Sequence, residues 1–112
     1  MIKNSIILIA FPFDDLSASK VRPALCLTNE IGKYNHVIIA FISSRIPEDS
    51  IDSDIVLLKH SENFIITGLT VDSVIRLHKM MTIPKKLIKR RLGTIHSSLE
   101  VTIKEKINRL FN

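Results

Sequence analysis

Short apolar runs of strand length dominate the first three quarters of the chain. Runs of about five to eight residues, rich in Ile, Val, Leu and Phe, alternate with polar turn clusters, and this spacing is typical of β-strands. Residues 6–9 and 37–41 are apolar on both faces, which indicates central strands covered by helices or by a second subunit. We predict strands at residues 5–10, 22–28, 36–43, 55–58 and 73–81, and loops at residues 14–20, 29–35 and 45–54.

Helical periodicity replaces this pattern near the end of the chain. Ser97 and Glu100 form a capping-box pattern, which predicts that a helix begins there. Pro84 suits the first position of a short helical turn over residues 85–88. From Leu99 onward, one apolar stripe along the predicted helix is formed by Leu99, Ile103, Ile107 and Leu110. The patterns together predict a mainly β protein with a C-terminal helix, in the α+β class.

Length and composition favour one globular domain over residues 1–112. Hydrophobic residues make up 46% and charged residues 24% of the 112 residues, and a chain with this composition is expected to fold rather than to be disordered. No apolar stretch is long enough to cross a bilayer and no signal-peptide pattern is present, so we expect a cytoplasmic protein without a membrane partner. Cys26 lies in an apolar run, where we expect a buried small side chain rather than a nucleophile.

The charge balance favours polyanionic partners. Sixteen Lys and Arg residues against eleven Asp and Glu residues give a formal net charge of +5. A basic cluster between residues 79 and 91 is either a path for phosphates or a solvated surface, and charge alone leaves both interpretations open. Aromatic residues are few, at 5%, so a long base-stacking platform is not expected.

Arg22 is the first candidate for chemistry. A loop of small and polar residues, 14–20, leads to this arginine at the start of an apolar strand. Its planar guanidinium suits bidentate contact with a phosphate, and the adjacent loop could cover a bound substrate. The alternative is an ion pair of Arg22 with Asp14 or Asp15 that closes the loop.

Polar residues at another strand end form the second candidate group. Ser43, Ser44 and Arg45 follow a predicted strand and offer two hydroxyls and a cation where sites are commonly built. The four histidines have no spacing typical of a zinc site, so no metal site is expected. His78 is kept as a candidate general base because it shares a predicted strand with Arg76 and Lys79. The alternative is that His78 is an ordinary packed or surface histidine with no part in the chemistry.

Four segments in a fixed order resemble the MazF/PemK family of toxin endoribonucleases. They are Phe-Pro-Phe-Asp-Asp-Leu-Ser at 11–17, Lys-Val-Arg-Pro-Ala-Leu at 20–25, Ile-Ala-Phe-Ile-Ser-Ser at 39–44 and Ser-Val-Ile-Arg-Leu at 73–77. Leu-Gly-Thr-Ile at 92–95, before the last helix, extends the similarity over nearly the whole chain. The Phe-Pro-Phe and Arg-Pro pair is the most specific part of the match.

The resemblance implies a small, partly open SH3-like β-barrel of the MazF/CcdB/PemK toxin type with a C-terminal helix. It also implies a homodimer that cleaves single-stranded RNA at short sequences and is silenced by a cognate antitoxin. Members of this family use no metal and no cofactor. The 2'-hydroxyl attacks the adjacent phosphorus and leaves a 2',3'-cyclic phosphate and a 5'-hydroxyl.

The resemblance also assigns site residues. The arginine that the family places before proline maps onto Arg22, and its strand-end hydroxyl residue maps onto Ser43. An arginine stays protonated, so Arg22 is expected to act as an electrostatic clamp and proton donor, and the base is unassigned. The residues expected to contact RNA are Lys20, Asn29, Ser44, Arg45 and Lys79.

Three departures from the family pattern leave two further functions open. Asn4-Ser5 replaces the usual Gly-Asp, Ser43 replaces the commoner threonine, and the predicted loop 45–54 is acidic and would repel RNA unless it faces away. One alternative is a non-enzymatic poison that binds DNA gyrase through the last helix, as the similar CcdB fold does. The other is a degenerate family member that binds RNA or an antitoxin without cleavage.

Overall fold

The computed structural model describes residues 2–11 and 20–112, which form six strands and one α-helix. The strands are β1 (Ser5–Phe11), β2 (Lys20–Cys26), β3 (His36–Ser43), β4 (Asp54–Leu57), β5 (Ser73–Pro84) and β6 (Ile88–Thr94). The helix α1 spans Ser97–Leu110, and single 3-10 turns lie at Ile65–Thr67 and Lys85–Leu87. No helix in these two ranges has the length and apolar character needed to span a membrane.

All six strands belong to one antiparallel sheet in the order β4-β5-β3-β2-β1-β6. Among the described residues, the edge strands β4 and β6 do not pair with each other, so the sheet curls without closing. The predicted partly open, mainly β fold with a C-terminal helix is confirmed. The curvature is aided by a bulge in β5, where residues 77–79 have no partner on β3.

The central strands are buried on both faces, each face in its own apolar core. The first core includes Ile6 and Leu25 and is covered by α1 through Ile103. The second core includes Ile7, Ile9, Ala24, Cys26, Val37, Ile39 and Ile83, with Leu87 and Ile88 packed against it. The prediction that a helix covers the central strands is therefore confirmed for the face that carries the first core. Against the other face pack Leu87, from the 3-10 turn before β6, and Ile88, the first residue of β6, which pairs with β1 at the sheet edge.

Cys26 lies in the second core and is fully buried, as predicted. Burial and the nearby charge of Glu30 raise the pKa of its thiol to about 11. The thiol is therefore protonated at neutral pH and behaves as a small apolar side chain.

Five predicted elements change their bounds and one strand was missed. β1 continues to Phe11 instead of ending at residue 10, and β4 is Asp54–Leu57 instead of residues 55–58. β6 was not predicted, since Lys89, Arg90 and Arg91 look like a solvated turn, whereas they lie exposed on an edge strand. β5 continues to Pro84, beyond the predicted end at residue 81, and β2 begins at Lys20 and ends at Cys26. The predicted turn over residues 85–88 is the 3-10 turn Lys85–Leu87, after which Ile88 opens β6.

The helix α1 begins at Ser97 as predicted, but the predicted capping box is wrong. His96 is the N-cap, and its Nδ1 accepts the backbone N–H of Ser98 at 3.1 Å. Glu100 instead accepts a hydrogen bond from Nδ2 of Asn4 at 2.6 Å, which draws its carboxylate away from the helix start. Asn4 has a φ of +71°, a conformation that asparagine tolerates better than most residues.

Candidate active site

Arg22 and Ser43 form the shared wall of two open cavities. The cationic cavity, of about 490 Å³, is lined by Arg22, Phe41, Ile42, Ser43, Arg45, Arg76 and Lys79. The loop-side cavity, of about 480 Å³, lies against Gly68, Leu69 and Thr70 and also receives Arg22, Ser43, Ser44, Arg45 and Arg90. Arg22 is exposed and Ser43 is half-buried, so both cavities open to solvent beside these two side chains.

The strand register brings Arg22 and Ser43 to the same end of the β2–β3 pair. On the β2–β3 ladder, Ala24 lies opposite Phe41 and Leu25 opposite Ala40. Arg22 and Ser43 each lie two residues beyond the Ala24–Phe41 pair, where the ladder ends, and because side chains alternate along a strand they belong to the face that carries Ala24 and Phe41. Both side chains line the two cavities. On its other side β2 pairs with β1, where Arg22 lies opposite Ile9.

A backbone hydrogen bond orients the Ser43 hydroxyl. The N–H of Arg45 donates to Ser43 Oγ at 3.0 Å, which is the local turn that serine side chains commonly form. Oγ is the acceptor in this bond, so the bond does not use the hydroxyl hydrogen, which can be donated to a ligand. This bond restricts the serine rotamer, which the methyl group of a threonine would otherwise do.

Three other predicted contacts join the same region. Ser44 lines the loop-side cavity, Lys79 lines the cationic cavity, and Arg45 lines both. The predicted covering loop 14–20 lies outside the described residues apart from the backbone of Lys20, which begins β2. The alternative pairing of Arg22 with Asp14 or Asp15 falls outside the described residues as well.

Asn29 and His78 lie apart from the two cavities. Asn29 Oδ1 accepts the backbone N–H groups of Ile2 at 3.1 Å and Lys3 at 2.9 Å, so the side chain holds the N-terminal segment. His78 Nδ1 lies 2.8 Å from Ser53 Oγ, and the imidazole lines neither cavity. Within residues 2–11 and 20–112, no three His, Cys, Asp or Glu side chains are grouped so that they could hold a metal ion.

Arg76 is a site residue that the sequence did not single out. Its Nε donates to Oδ1 of Asp54 at 2.9 Å, and the Asp54 side chain is fully buried while 22% of the Arg76 side chain is exposed. The two residues lie 22 positions apart, and only the β4–β5 register shows that they face each other. Arg90, which lines the loop-side cavity, comes from the basic cluster that charge alone left ambiguous.

The acidic stretch before β4 does not point its paired carboxylates into either cavity. Asp54 forms an ion pair with Arg76. Asp52 pairs with Arg109 at 2.8 Å and with Lys106 at 3.6 Å. The hydrogen bond from Arg109 is the main reason that the pKa of Asp52 lies below its ordinary value. In the described part of the chain no Asp or Glu lines the two cavities, so their walls are positively charged.

Solved structures with the same fold are similar along almost their whole length. The toxin MazF-mt6 of Mycobacterium tuberculosis has 23% identity and a TM-score of 0.72, covering 96% of this chain and 95% of the other. MazF (Form-I) from Deinococcus radiodurans has 16% identity and a TM-score of 0.67, with coverages of 97% and 94%. An endoribonuclease from a Mycobacterial species, in complex with its cognate antitoxin, has 12% identity and a TM-score of 0.69, with coverages of 99% and 94%.

The TM-scores of these structures show a common fold, and a family model shows that the similarity extends to the sequence. No curated protein matches the chain significantly. The family model of the PemK-like, MazF-like toxin of type II toxin-antitoxin system matches residues 3–111. The chain therefore belongs to the PemK-like, MazF-like toxins of type II toxin-antitoxin systems, a family of endoribonucleases.

Proposed function

We propose that this protein is a metal-independent endoribonuclease that cleaves single-stranded RNA in the cytoplasm. The observation that supports the proposal is that Arg22 and Ser43 both line two cavities whose other lining residues include Arg45, Arg76, Lys79 and Arg90. A polyanion is the ligand that such a surface attracts, and the net charge of +5 supports the same class of substrate.

The chemistry follows from what these two side chains can donate. The RNA 2'-oxygen forms a bond to the adjacent phosphorus while the bond from phosphorus to the 5'-oxygen breaks. Negative charge builds up on the non-bridging oxygens, where the Arg22 guanidinium and the Ser43 hydroxyl stabilise it. The 2'-hydroxyl releases its proton to water, since no protein base is assigned, and the leaving 5'-oxygen takes up a proton from Arg22, which regains one from water. The product ends are a 2',3'-cyclic phosphate and a 5'-hydroxyl. One such donor is worth about 10² to 10³ in rate.

The neighbouring polar residues are proposed to bind the nucleotides that flank the cleaved bond. Arg45 and Lys79 supply positive charge to the cationic cavity, and Ser44 supplies a hydroxyl to the loop-side cavity. Lys20 is proposed to act from the start of β2. Asn29 is proposed for RNA contact only through the family resemblance, since its amide oxygen holds the N-terminal backbone.

We also propose two protein partners, a second copy of the chain and a cognate antitoxin. The Mycobacterial endoribonuclease of the same fold is described in complex with its cognate antitoxin. An acidic segment that folds on binding would complement the positively charged cavities of this chain. Sedimentation analysis tests the homodimer, and a purely monomeric protein at micromolar concentration would contradict it.

The decisive experiment is incubation with a long RNA in the presence of a chelator, followed by mapping of both cleavage ends. The expected products carry cyclic phosphate and 5'-hydroxyl ends, and Arg22→Ala, checked for folding by circular dichroism, yields none. A requirement for magnesium or 5'-phosphate ends would contradict the mechanism. DNA breaks without RNA fragments would support a CcdB-like poison, and RNA binding without cleavage would support a degenerate family member.

A further inference from the structure

Arg76 is held in the cationic cavity by one edge of its guanidinium. Its Nε donates to Asp54 Oδ1 at 2.9 Å, and the other carboxylate oxygen, Oδ2, accepts the backbone N–H of Ile51 at 3.2 Å. Asp54 is fully buried at the start of β4, directly opposite Arg76 on β5. The carboxylate is therefore fixed on both sides, and it fixes the direction of the arginine.

The anchoring uses Nε and leaves the two Nη groups, which carry four N–H donors, for another ligand. An arginine presents five N–H donors in a rigid fork, and this shape matches a phosphate as well as a carboxylate. Arg76 is one-fifth exposed and lines the same cavity as Arg22 and Ser43. The guanidinium is thus oriented before any ligand arrives, which lowers the entropy lost on binding.

The number of cations in the cavity exceeds what one phosphate requires. Arg22, Arg45, Arg76 and Lys79 line it, and among the described residues the buried Asp54 pairs with one of them, Arg76. Arg76 lies opposite Phe41 on β3, two residues before Ser43. The positive charge therefore extends along the strand beyond the position of the cleaved bond.

We propose that Arg76 is a substrate-binding residue that holds a phosphate adjacent to the cleaved one, with Asp54 as the residue that positions it. This inference rests on the proposed ribonuclease function and deepens it. A contact to a phosphate that does not react is made equally in the ground state and the transition state. Loss of Arg76 should therefore raise KM and leave kcat nearly unchanged.

A structural role for Arg76, neutralising the buried Asp54, must be separated from a role in binding. Arg76→Met alone would leave that carboxylate buried without its partner and would destabilise the fold. The double variant Arg76→Met/Asp54→Asn removes both charges and keeps an acceptor for the Ile51 N–H. The matched control is Arg109→Met/Asp52→Asn, which removes an exposed Arg–Asp pair lying outside both cavities and leaves the net charge equally unchanged.

The experiment measures the affinity of each protein for a 2'-O-methyl RNA oligonucleotide, which cannot be cleaved, over a range of salt concentrations. We expect Arg76→Met/Asp54→Asn to fold and to bind roughly tenfold or more weakly at low salt. Its plot of log affinity against log salt should be shallower by about 0.7, the value for one phosphate contact on a single strand. The control should keep the affinity and slope of the unaltered protein.

Arg76→Lys tests the forked geometry separately. A lysine keeps the charge and the ion pair with Asp54, but its single ammonium cannot serve both the carboxylate and a phosphate. This variant should unfold at the same urea concentration as the unaltered protein and bind the oligonucleotide more weakly.

The outcomes distinguish this inference from the proposed function. If the unaltered protein cleaves RNA while Arg76→Met/Asp54→Asn keeps its affinity and salt slope, Arg76 is structural and the inference fails alone. The same conclusion follows if Arg76→Lys binds as tightly as the unaltered protein. If the unaltered protein neither binds nor cleaves RNA, the proposed function fails and this inference fails with it.

Discussion

Two side chains in the walls of the cavities are oriented by hydrogen bonds within the protein, before any ligand binds. The backbone N–H of Arg45 holds Ser43 Oγ, and the buried Asp54 holds Arg76. Donors oriented in advance stabilise a developing charge without the cost of reorganising at the moment of reaction. Replacing threonine by serine at position 43 is therefore compatible with activity, because the orientation comes from the backbone.

Two substitutions at position 43 test this explanation. Ser43→Thr keeps the hydroxyl and should cleave RNA at a rate within a few-fold of the unaltered protein. Ser43→Ala removes the donor and should lower kcat by about 10². Both rates come from single-turnover cleavage of one RNA oligonucleotide. A fully active Ser43→Ala variant would show that this hydroxyl has no part in the reaction.

The sequence predicts Arg22 and Ser43 as site residues because the resemblance assigns both, and because each stands at the end of an apolar strand; the structure places both in the walls of the two cavities. Arg76 was noted only as a neighbour of His78, since its contact with Asp54 joins residues 22 positions apart and Asp54 looked like part of an acidic loop. Such a pair becomes visible only when the β4–β5 register is known. Asn29 differs in the opposite way: the sequence predicts an RNA contact for it, and its amide oxygen accepts hydrogen bonds from the N-terminal backbone.

At the scale of elements, the turn at Ile65–Thr67 and the strand β6 approach each other through two glycines. A Cβ added to Gly93 would lie 2.2 Å from the backbone oxygen of Ile66, and one added to Gly68 would lie 2.1 Å from the backbone oxygen of Leu92. Gly68 also has a φ of +75°. Backbone packed this closely leaves no room for a side chain, so the wall of the loop-side cavity depends on both glycines.

Gly93→Ala should therefore lower the free energy of unfolding by about 3 kcal/mol or more, since the clash is with backbone and cannot be relieved by a rotamer change. Gly32→Ala is the matched control. Gly32 has a φ of +73° but nothing within 4 Å of an added Cβ, so its substitution should cost only about 1 kcal/mol. Urea denaturation measures both values. Equal losses for the two variants would refute the close-approach argument.

Elements with a clear apolar period were predictable, and those defined by tertiary contacts were not. β3 has the bounds predicted for it, because residues 37–41 are apolar on both faces. β6 was missed because Lys89, Arg90 and Arg91 interrupt any apolar alternation, and its place is set by pairing with β1. The cap of α1 was misassigned because Asn4, which takes the Glu100 carboxylate, lies 96 residues away.

At the scale of the whole molecule, two acidic residues of the described chain are paired with cations outside the two cavities. Asp52 pairs with Arg109 of α1, and Glu30 pairs with Lys85 at 2.8 Å. Hydrogen bonds from Arg109 and from Lys85 are the main causes that hold the pKa values of Asp52 and Glu30, respectively, below their ordinary range. Asp52 and Glu30 line neither of the two cavities proposed to bind RNA.

These lowered pKa values predict how stability depends on pH. A carboxylate whose pKa is lower in the folded state contributes stability above its unfolded pKa, about 3.9 for Asp, and loses it as the pH falls through the folded pKa. Asp52→Asn should therefore unfold at a slightly lower urea concentration at pH 7, with the difference closing in strong acid and in 1 M salt. A difference that persists unchanged under both conditions would mean that the ion pair with Arg109 is not its source.

The central claim is that Arg22 and Ser43 act on one phosphate, and a double-mutant cycle of single-turnover RNA cleavage in chelator tests it most directly. Arg22→Ala and Ser43→Ala should each lower the rate, by about 10² to 10³. The combined variant should lose far less than the product of the two effects, because residues that act as a unit are strongly non-additive. An Arg22→Ala variant that folds and cleaves at the unaltered rate would contradict the account.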